Sequence, residues 1–225
     1  AKHTTAPIIL CCRLLNLSVP ETKHSIIVLT SDHIIEPIEN FVGDAEKAFT
    51  AAADGNLVTF GIKPTEPATG YGYIQTELRP EYCDTFKIKC FTEKPDEHTA
   101  QKYLAAGNCS WNSGMFAFTA DFFITELAKC TPEIADAFAP LEKASMPEFG
   151  KIGGINAVTS WKEMDAAYEK TPAIAVDVAL AEKTERSYMV AASFTWDDVG
   201  SWDSFARHSA GTENAANIGS ENCFV

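Results

Sequence analysis

The stretch Ser25-Ile26-Ile27-Val28-Leu29-Thr30, which runs directly into Ser31-Asp32-His33, decides the fold class of this sequence. Residues 26–30 are all apolar or β-branched, which is typical of a strand buried on both faces. Strands of that kind belong to sheets covered by helices on both sides. The polar residues that end the run are therefore expected at one rim of the sheet.

Helical patterns lie on both sides of this strand. Residues 5–17 are mostly apolar and carry Pro7 where a first helical turn tolerates it. Residues 41–52 repeat apolar side chains at helical spacing, and Gly55 provides a C-terminal stop. The continuous apolar run 57–62 predicts a second buried strand.

The same alternation continues toward the C-terminus. Alternating residues 86–92 and the apolar run 113–118 predict strands, while 96–106, 121–129 and 132–138 predict helices. We therefore predict an α/β fold with a Rossmann-like mixed, mostly parallel sheet flanked by helices. Ligands of such sheets bind beyond the carboxyl ends of the strands, so the polar residues that follow each strand are the candidate site.

Composition excludes several classes of protein. The net charge is −13, and no cluster of Lys and Arg is present that could neutralise a nucleic-acid backbone. The seven cysteines are odd in number and contain no C-x-x-C pair, which favours reduced thiols. No uncharged run approaches the roughly 18 residues that span a bilayer, and no signal peptide is recognisable. We expect a cytoplasmic protein with no nucleic-acid or membrane partner.

Two aspartates are candidate metal ligands. Asp32 directly follows the buried strand, and Asp198 lies in the segment 196–202, Trp-Asp-Asp-Val-Gly-Ser-Trp, between two aromatic side chains. If the two carboxylates meet, they form the hard oxygen pair that Mg²⁺ prefers. The alternative is that Asp32 closes a turn and that Asp198 caps the helix expected near Ser201. Sequence position leaves both interpretations open.

Three further stretches combine glycine or charge with polar groups. Residues 70–73, Gly-Tyr-Gly-Tyr, permit close approach of the backbone to a ligand. Residues 91–95, Phe-Thr-Glu-Lys-Pro, place an acid and a base at a strand end, and residues 111–114, Trp-Asn-Ser-Gly, place an amide beside a glycine. Taken singly, each is explained more readily by a structural turn or a solvated ion pair than by a binding site.

Taken in order, the motifs of this chain resemble those of bacterial mannose-1-phosphate guanylyltransferases within the sugar nucleotidyltransferase superfamily. The resemblance extends from residue 5 to about residue 207. It is carried by Ser-Asp-His at 31–33, Phe-Gly-Ile-Lys-Pro-Thr at 60–65, Thr-Gly-Tyr-Gly-Tyr-Ile at 69–74, Phe-Thr-Glu-Lys-Pro-Asp at 91–96, Trp-Asn-Ser-Gly-Met-Phe at 111–116, Val-Asp-Val-Ala-Leu-Ala-Glu-Lys-Thr at 176–184 and Trp-Asp-Asp-Val-Gly-Ser-Trp at 196–202.

The resemblance implies an activity and a set of roles. The activity is synthesis of GDP-mannose and pyrophosphate from GTP and mannose 1-phosphate, with Mg²⁺ held by Asp32 and Asp198 and with Lys94 facing the sugar phosphate. The implied substrate-binding residues are Gly72, Glu93, Asn112, Asp177 and Lys183, and the implied nucleotide-binding residues are Thr5, Ala6 and Pro7. Thr4 and Val178 depart from the family pattern, which usually has Asn and Tyr there.

A second departure concerns the ends of the sequence. The family opens with a strand and a Gly-rich phosphate loop that have no counterpart in these 225 residues. We therefore expect residues 1–210 to form a partial nucleotidyltransferase domain that transfers no guanylyl group alone, and residues 211–225 to be a linker or the start of a C-terminal β-helical domain. A homodimer is compatible with the sequence. Two alternatives stay open, namely another sugar-1-phosphate nucleotidyltransferase using dTTP or UTP, and a non-catalytic regulatory subunit that binds nucleotide sugars.

Overall fold

The computed structural model describes residues 2–80 and 84–209. Within them the helices are α1 Thr5–Ser18, α2 Ile38–Ala53, α3 Glu97–Ala106, α4 Ala120–Cys130, α5 Pro132–Phe138, α6 Lys162–Lys170 and α7 Trp202–Ser209. The strands are β1 Ser25–Val28, β2 Ile34–Glu36, β3 Leu57–Ile62, β4 Tyr73–Thr76, β5 Thr85–Thr92, β6 Cys109–Thr119, β7 Glu148–Ile152, β8 Ile155–Ser160, β9 Ser187–Ala191 and β10 Thr195–Asp197. A 3₁₀ segment at Ala139–Lys143 and a π-helical turn at Asp177–Ala181 complete the description. The predicted linker 211–225 lies outside the described residues.

Helix ends follow local sequence chemistry. The Asp96 carboxylate accepts a hydrogen bond of 2.8 Å from the Thr99 amide and so caps the first turn of α3. The same helix ends at Gly107, whose φ of +67° is a backbone conformation that glycine adopts without steric cost. The helices predicted for 5–17, 96–106 and 132–138 are confirmed to within about two residues.

The main sheet is mixed, and this corrects the predicted strand directions. The described strands form a six-stranded sheet in the order β1-β6-β3-β9-β5-β4, and β6 also pairs with β4. Among these pairings β3–β9 is parallel, while all others are antiparallel. The α/β class and the mixed sheet are confirmed, but the described pairings are mostly antiparallel and not mostly parallel as predicted. An apolar run reports burial on two faces and carries no information about the direction of the neighbouring strand.

Two apolar layers cover the two faces of this sheet. Alternate residues of a strand point to opposite faces, so Leu57 packs with α1, α4 and α5 whereas Val58 and Phe60 pack with α2. All six residues of β3 are buried, as predicted for the run 57–62. The buried centre of the sheet therefore gives rigid support to the side chains on β3 and on its neighbouring strands.

The strand that decided the fold class is less buried than its composition predicts. β1 pairs with β6 alone within the described residues, so it lies at an edge of the sheet. Ile26, Ile27 and Val28 are partly exposed, and Leu29 beyond the strand is 48% exposed. The prediction of full burial on both faces is wrong in this structure, because among the described strands only β6 lies beside β1.

Two small antiparallel ladders lie outside the main sheet. β2 pairs with β10, and β7 pairs with β8 in a hairpin with a glycine turn. Over the described part of the chain, every helix is too short or too polar to traverse a lipid bilayer.

Candidate functional site

A pocket opens where the N-terminal half of β6, the ends of β4 and β5, and the β2–β10 ladder meet. Its volume is about 170 Å³. Six of the residues singled out from the sequence line it, namely Gly72, Glu93, Lys94, Asn112, Asp177 and Asp198. These residues come from five separate segments of the chain, so the fold brings together side chains that are up to 126 positions apart, from Gly72 to Asp198.

A bulge in β6 delivers Asn112 to the pocket. Thr59 pairs with Phe116 and Gly61 pairs with Asn112, so two steps along β3 correspond to four steps along β6. The extra residues leave the ladder, and Gly114 adopts a φ of +72° within the bulge. Bulges of this kind re-aim side chains, which is how a buried strand presents polar groups at its rim.

The Asn112 side chain is held at both ends. Its Oδ1 lies 2.8 Å from the Thr59 hydroxyl, and its Nδ2 donates to Asp177 Oδ1 at 2.9 Å. Its backbone amide donates to the Gly72 carbonyl at 2.8 Å. Asn112 is 7% exposed, so the amide is fixed before any ligand arrives.

Gly72 is required for the close approach of Glu93. A Cβ at position 72 would lie 2.7 Å from Glu93 Oε2 and 3.3 Å from the Phe91 ring. Real Cβ atoms do not approach oxygen that closely, so a larger residue would displace the carboxylate. The glycine therefore sets the position of Glu93 at the pocket wall.

The two carboxyl groups on this wall have raised pKa values. Burial raises the pKa of Asp177, and the hydrogen bond from Asn112 offsets only part of that effect. Burial likewise raises the pKa of Glu93, and the nearby charge of Asp177 raises it further. Both groups are acceptors when ionised, which suits recognition of hydroxyl groups.

Lys94 supplies positive charge at the mouth of the pocket. Among the described residues that line the pocket, it is the one that carries an ammonium or guanidinium group. Its Nζ lies 3.7 Å from Glu93 Oε1, and 64% of its side chain is exposed. An exposed lysine of this kind is free to follow an anionic ligand group such as a phosphate.

The acidic side of the pocket is carried by the β2–β10 ladder. Asp197 of β10 pairs with Ile34 of β2 as the terminal residue pair of this antiparallel ladder. His33, which precedes Ile34, and Asp198, which follows Asp197, therefore lie at the same end of the ladder. Asp32 precedes His33 at the same end. The ladder therefore brings Asp32 and Asp198 to one end of a two-stranded ribbon, although only Asp198 lines the pocket.

Hydrogen bonds hold the residues around Asp198. Its Oδ1 accepts from the Tyr71 hydroxyl at 2.9 Å and from the Gly200 amide at 3.1 Å. Burial and the bond to Asp198 raise the pKa of Tyr71 above its ordinary range, so the hydroxyl stays a donor. Helix α7 is capped by Ser201, whose Oγ accepts from the Ser204 amide at 3.1 Å. Asp198 is therefore not the cap of α7, and one of the alternatives left open by the sequence is removed.

The charges of both acids act on His33. The Trp196 indole nitrogen can only donate, so His33 Nδ1 accepts its 2.9 Å hydrogen bond and the neutral ring carries its proton on Nε2. Burial lowers the pKa of His33, while the charges of Asp32 and Asp198 oppose that shift. Both carboxylates therefore lie within electrostatic reach of one imidazole.

The donor set of this corner fits a hard divalent cation that keeps part of its own shell. Across residues 2–80 and 84–209, no three His, Cys, Asp or Glu side chains converge into a metal-holding group. Mg²⁺ is usually bound by one or two carboxylates, with water and substrate phosphates completing its octahedron. Asp32, which is exposed, and Asp198 match that pattern as a pair of carboxylates at one ribbon end.

The remaining residues singled out from the sequence lie elsewhere. Lys183 is exposed, and its Nζ donates to the Cys130 carbonyl at 3.0 Å and to Thr131 Oγ1 at 2.9 Å, away from the pocket lining. Thr5 and Ala6 are buried, and the Thr5 hydroxyl donates to the Ile174 carbonyl at 2.8 Å.

Pro7 is exposed on a different surface. It lines an apolar groove beside β1 together with Thr4 and Ile8. The structure therefore does not bring Thr5, Ala6, Pro7 or Lys183 into the pocket that contains Asp198.

Sequence reasoning missed the residues that support this pocket. Thr59 lies in an apolar run and offered no signal except its hydroxyl in a buried strand. Asp44 lies within an amphipathic helix, yet its side chain is 1% exposed and its Oδ2 accepts from both the amide and the hydroxyl of Ser193, at 2.7 and 2.9 Å. That contact anchors the start of the segment that leads through β10 to Asp198.

Comparison with known proteins relates the chain to enzymes acting on sugar phosphates. Residues 5–215 match the protein family described as "Nucleotidyl transferase". A mannose-1-phosphate guanylyltransferase from Sinorhizobium fredii is 39% identical over 180 residues, which cover 79% of this chain and 33% of the relative. The enzyme of that name from Escherichia coli K12 is 36% identical over 216 residues, which cover 94% of this chain and 43% of the relative.

Two further similarities agree with these. The xanthan biosynthesis protein XanB from Xanthomonas campestris pv. campestris is 42% identical over 180 residues, which cover 80% of this chain and 36% of the relative. A crystal structure from Thermus thermophilus, described as a mannose-1-phosphate geranyltransferase, superposes with a TM-score of 0.76 at 26% identity, covering 94% of this chain and 56% of that one. The chain thus spans between 33% and 43% of the length of these curated relatives.

Proposed function

This chain belongs to the nucleotidyl transferase family, and from that premise we propose that it carries the sugar-phosphate side of an enzyme making GDP-mannose and pyrophosphate from GTP and mannose 1-phosphate. The observation that carries the proposal is the convergence of Asn112, Glu93, Asp177, Lys94 and Asp198 on one small pocket. Relatives named mannose-1-phosphate guanylyltransferase, at 36% and 39% identity, support the choice of substrates.

The wall formed by Glu93, Asn112 and Asp177 would bind the sugar. Ionised carboxylates accept hydrogen bonds from hydroxyl groups, and the Asn112 amide donates to a sugar oxygen. Gly72 leaves room for the Glu93 carboxylate to reach this wall. Because Asn112 is already hydrogen-bonded to Asp177 and to Thr59, the sugar would meet a partly prearranged surface.

Lys94 would face the phosphate of the sugar. Its ammonium group is exposed and lies beside Glu93, so it can neutralise an anionic group presented at the pocket mouth. The reaction needs a phosphate oxygen of mannose 1-phosphate to attack the α-phosphorus of GTP in line. The new phosphorus–oxygen bond forms as the bond from the α-phosphorus to the bridging oxygen breaks, and pyrophosphate leaves with that electron pair.

The chain's own contribution to this step is alignment and charge. Asp32 and Asp198 would hold Mg²⁺, which when bound supplies a Lewis acid and a template for phosphate oxygens. Tyr71 and the Gly200 amide orient Asp198 through hydrogen bonds to its Oδ1. His33 is kept by Trp196 with its Nε2 proton available as a donor. No side chain has to act as a nucleophile.

Some residue roles and some properties of the whole protein are still predictions. The nucleotide-binding role of Thr5, Ala6 and Pro7 and the substrate role of Lys183 stay predictions, as do the domain boundary near residue 210, a cytoplasmic location and a homodimer. Because the chain spans at most 43% of the length of the cited curated relatives, the complete activity is proposed for the natural full-length protein.

Pyrophosphate release by the natural full-length protein tests the proposal. Rates would be compared with Mg²⁺ for GTP, dTTP and UTP, each paired with mannose 1-phosphate or glucose 1-phosphate. We expect GTP with mannose 1-phosphate to give the highest kcat/KM. A preference for dTTP or UTP would replace the guanylyl assignment by the other transferase reaction. Tight binding of GDP-mannose without any turnover would instead indicate a regulatory subunit.

A further inference from the structure

The polar wall of the pocket depends on a buried residue behind it. Thr59 lies in the middle of β3, is 2% exposed and is not among the residues that line the pocket. Its hydroxyl lies 2.8 Å from Asn112 Oδ1 and 2.9 Å from the Met115 carbonyl oxygen. A hydroxyl carries one proton, so these two acceptors share it in a three-centre hydrogen bond.

The chemistry of the neighbours allows one arrangement of the Asn112 amide. An ionised Asp177 can only accept, so the Asn112 atom 2.9 Å from its Oδ1 must be the donor Nδ2. The other end of the amide is then Oδ1, which needs a donor, and Thr59 supplies it. Reversal of the amide would set two acceptors, Asn112 Oδ1 and Asp177 Oδ1, against each other.

We propose that Thr59 is a positioning residue that anchors the Asn112 amide, so that the pocket presents a donor at Asn112 beside acceptors at Asp177 and Glu93. Nδ2 carries two protons, and Asp177 uses one, which leaves one for an oxygen of the sugar. This arrangement selects a sugar in which one hydroxyl oxygen accepts a hydrogen bond from Asn112 and neighbouring hydroxyl groups donate hydrogen bonds to Asp177 and Glu93. The inference rests on the proposed function and deepens it.

The same hydroxyl also holds the shape of the bulge. Met115 ends the extra residues that β6 inserts opposite β3, and its carbonyl is the second acceptor of the Thr59 proton. Ser113 Oγ accepts from the Met115 amide at 3.2 Å inside the bulge. Loss of the Thr59 hydroxyl would therefore release the amide and its backbone support together, while the apolar packing of β3 stays in place.

Isosteric substitution tests the role. In the natural full-length protein, Thr59→Val keeps the shape and removes the hydroxyl, and Thr59→Ser keeps the hydroxyl. We expect Thr59→Val to raise the KM for mannose 1-phosphate about tenfold, which is the scale of one buried hydrogen bond, and to change the KM for GTP less than twofold. Thr59→Ser should restore a KM within about twofold of wild type.

A double-mutant cycle separates positioning from general destabilisation. If Thr59 acts through Asn112, adding Thr59→Val to Asn112→Ala should change the KM for mannose 1-phosphate less than twofold. Thr184→Val is the matched control, because this buried threonine also donates to a side chain, Glu126 Oε1 at 2.9 Å, away from the pocket lining. It should lower the thermal midpoint and leave both KM values unchanged.

The possible outcomes test the proposed function and the role of Thr59 separately. A wild-type protein that is folded but releases no pyrophosphate with any nucleotide and sugar pair overturns the proposed function. An active wild type in which Thr59→Val leaves the KM for mannose 1-phosphate unchanged overturns the role of Thr59 alone. Equal increases of both KM values, or full additivity with Asn112→Ala, would also reduce Thr59 to a structural residue.

Discussion

The two sides of the pocket are built in different ways. The sugar side, with Gly72, Glu93, Asn112 and Asp177, lies at the rim of the central sheet and at the start of the π-helical turn, and hydrogen bonds tie Asn112 to Thr59, Gly72 and Asp177. The acidic side rests on a ribbon of two three-residue strands, and its outermost carboxylate, Asp32, is exposed. One side is therefore rigid without a ligand, while the other carries two carboxylates, and the one Lys or Arg side chain of the described pocket lining, Lys94, lies beside Glu93 on the sugar side.

This difference assigns discrimination between sugars to one side of the pocket and charge neutralisation to the other. Discrimination between similar sugars requires fixed donors and acceptors, because unpaired buried polar groups penalise the wrong isomer. Charge neutralisation tolerates movement, because a divalent cation attracts carboxylates over several ångströms and assembles them as it binds. Substitutions in the natural full-length protein should therefore have different effects on the two sides.

The largest effect is expected on the acidic side. Asp198→Ala should lower kcat for pyrophosphate release at least about 1000-fold, because Lewis-acid stabilisation of the transition state is worth several kcal/mol. Glu36→Gln is the matched control, since this exposed acid lies on the same ribbon, at the opposite end of β2 from His33. A loss below tenfold in Asp198→Ala would remove this aspartate from the proposed metal site.

A steric change should affect the sugar side next. Gly72→Ala places a Cβ 2.7 Å from Glu93 Oε2, so the carboxylate must move. We expect the KM for mannose 1-phosphate to rise about 10- to 100-fold, as for other displacements of about 1 Å at a reacting site. Gly70→Ala has no atom within 4 Å of the new Cβ and should leave that KM within about twofold. Equal effects of the two alanines would mean that contact with Glu93 is not the cause.

A charge change at Asp177 should separate stability from binding. Burial raises the pKa of this carboxyl above its value of 3.8 in an unfolded chain, so folding favours the protonated form. That contribution to stability is complete below pH 3.8 and is lost as the pH rises through the folded pKa. Asp177→Asn should therefore match or exceed the wild-type free energy of unfolding at pH 7, by about 1 kcal/mol, while raising the KM for mannose 1-phosphate about tenfold.

Two measurements check the Asp177 prediction. Urea denaturation at pH 7 and at pH 4 should show the gain of Asp177→Asn shrinking at the lower pH. As the pH is lowered, protonation of Asp177 should raise the KM of the wild type for mannose 1-phosphate. This rise should begin at a higher pH than it would for a carboxyl with an ordinary pKa, and it should be weaker in Asp177→Asn. Marked destabilisation of the variant at pH 7 would contradict the assignment of an energetically costly buried charge.

The smallest effect is expected at Lys183, which lies outside both sides of the pocket. Its ammonium group donates to the Cys130 carbonyl and to Thr131 Oγ1. Lys183→Met should lower the free energy of unfolding by about 1 kcal/mol and change the KM for mannose 1-phosphate less than twofold. A tenfold rise in that KM would support the substrate role that the family resemblance implies.

The sequence predicted elements better than it predicted their arrangement. The run 57–62 was placed correctly because six consecutive apolar or β-branched residues are long enough for a strand and too short for a buried helix. The helix 96–106 was bounded by a capping aspartate and a terminal glycine, which act locally. Strand direction was wrong because it depends on which distant strand lies alongside, and no local pattern encodes that choice.

The residues of the candidate site likewise include some that the sequence indicated and some that it did not. Glu93 was singled out at a strand end, Asp198 between two tryptophans and Asn112 near a glycine, and their roles came from the family resemblance. Thr59 and Asp44 were missed because a threonine in a strand and an aspartate in an amphipathic helix are ordinary in sequence and become unusual only when buried. The bulge that aims Asn112 also had no signal beyond Gly114, since a register shift is a property of two strands.

The exposed flank of β1 has a practical consequence for handling the protein. A strand with apolar side chains on both faces and unpaired amide and carbonyl groups along one edge is a template for further strands. Its residues Ile26, Ile27 and Val28 have high β-propensity and no charge, as do segments that form cross-β stacks. This 225-residue polypeptide should therefore precipitate into strand-rich aggregates at high concentration, and a lysine on that edge should keep it in solution.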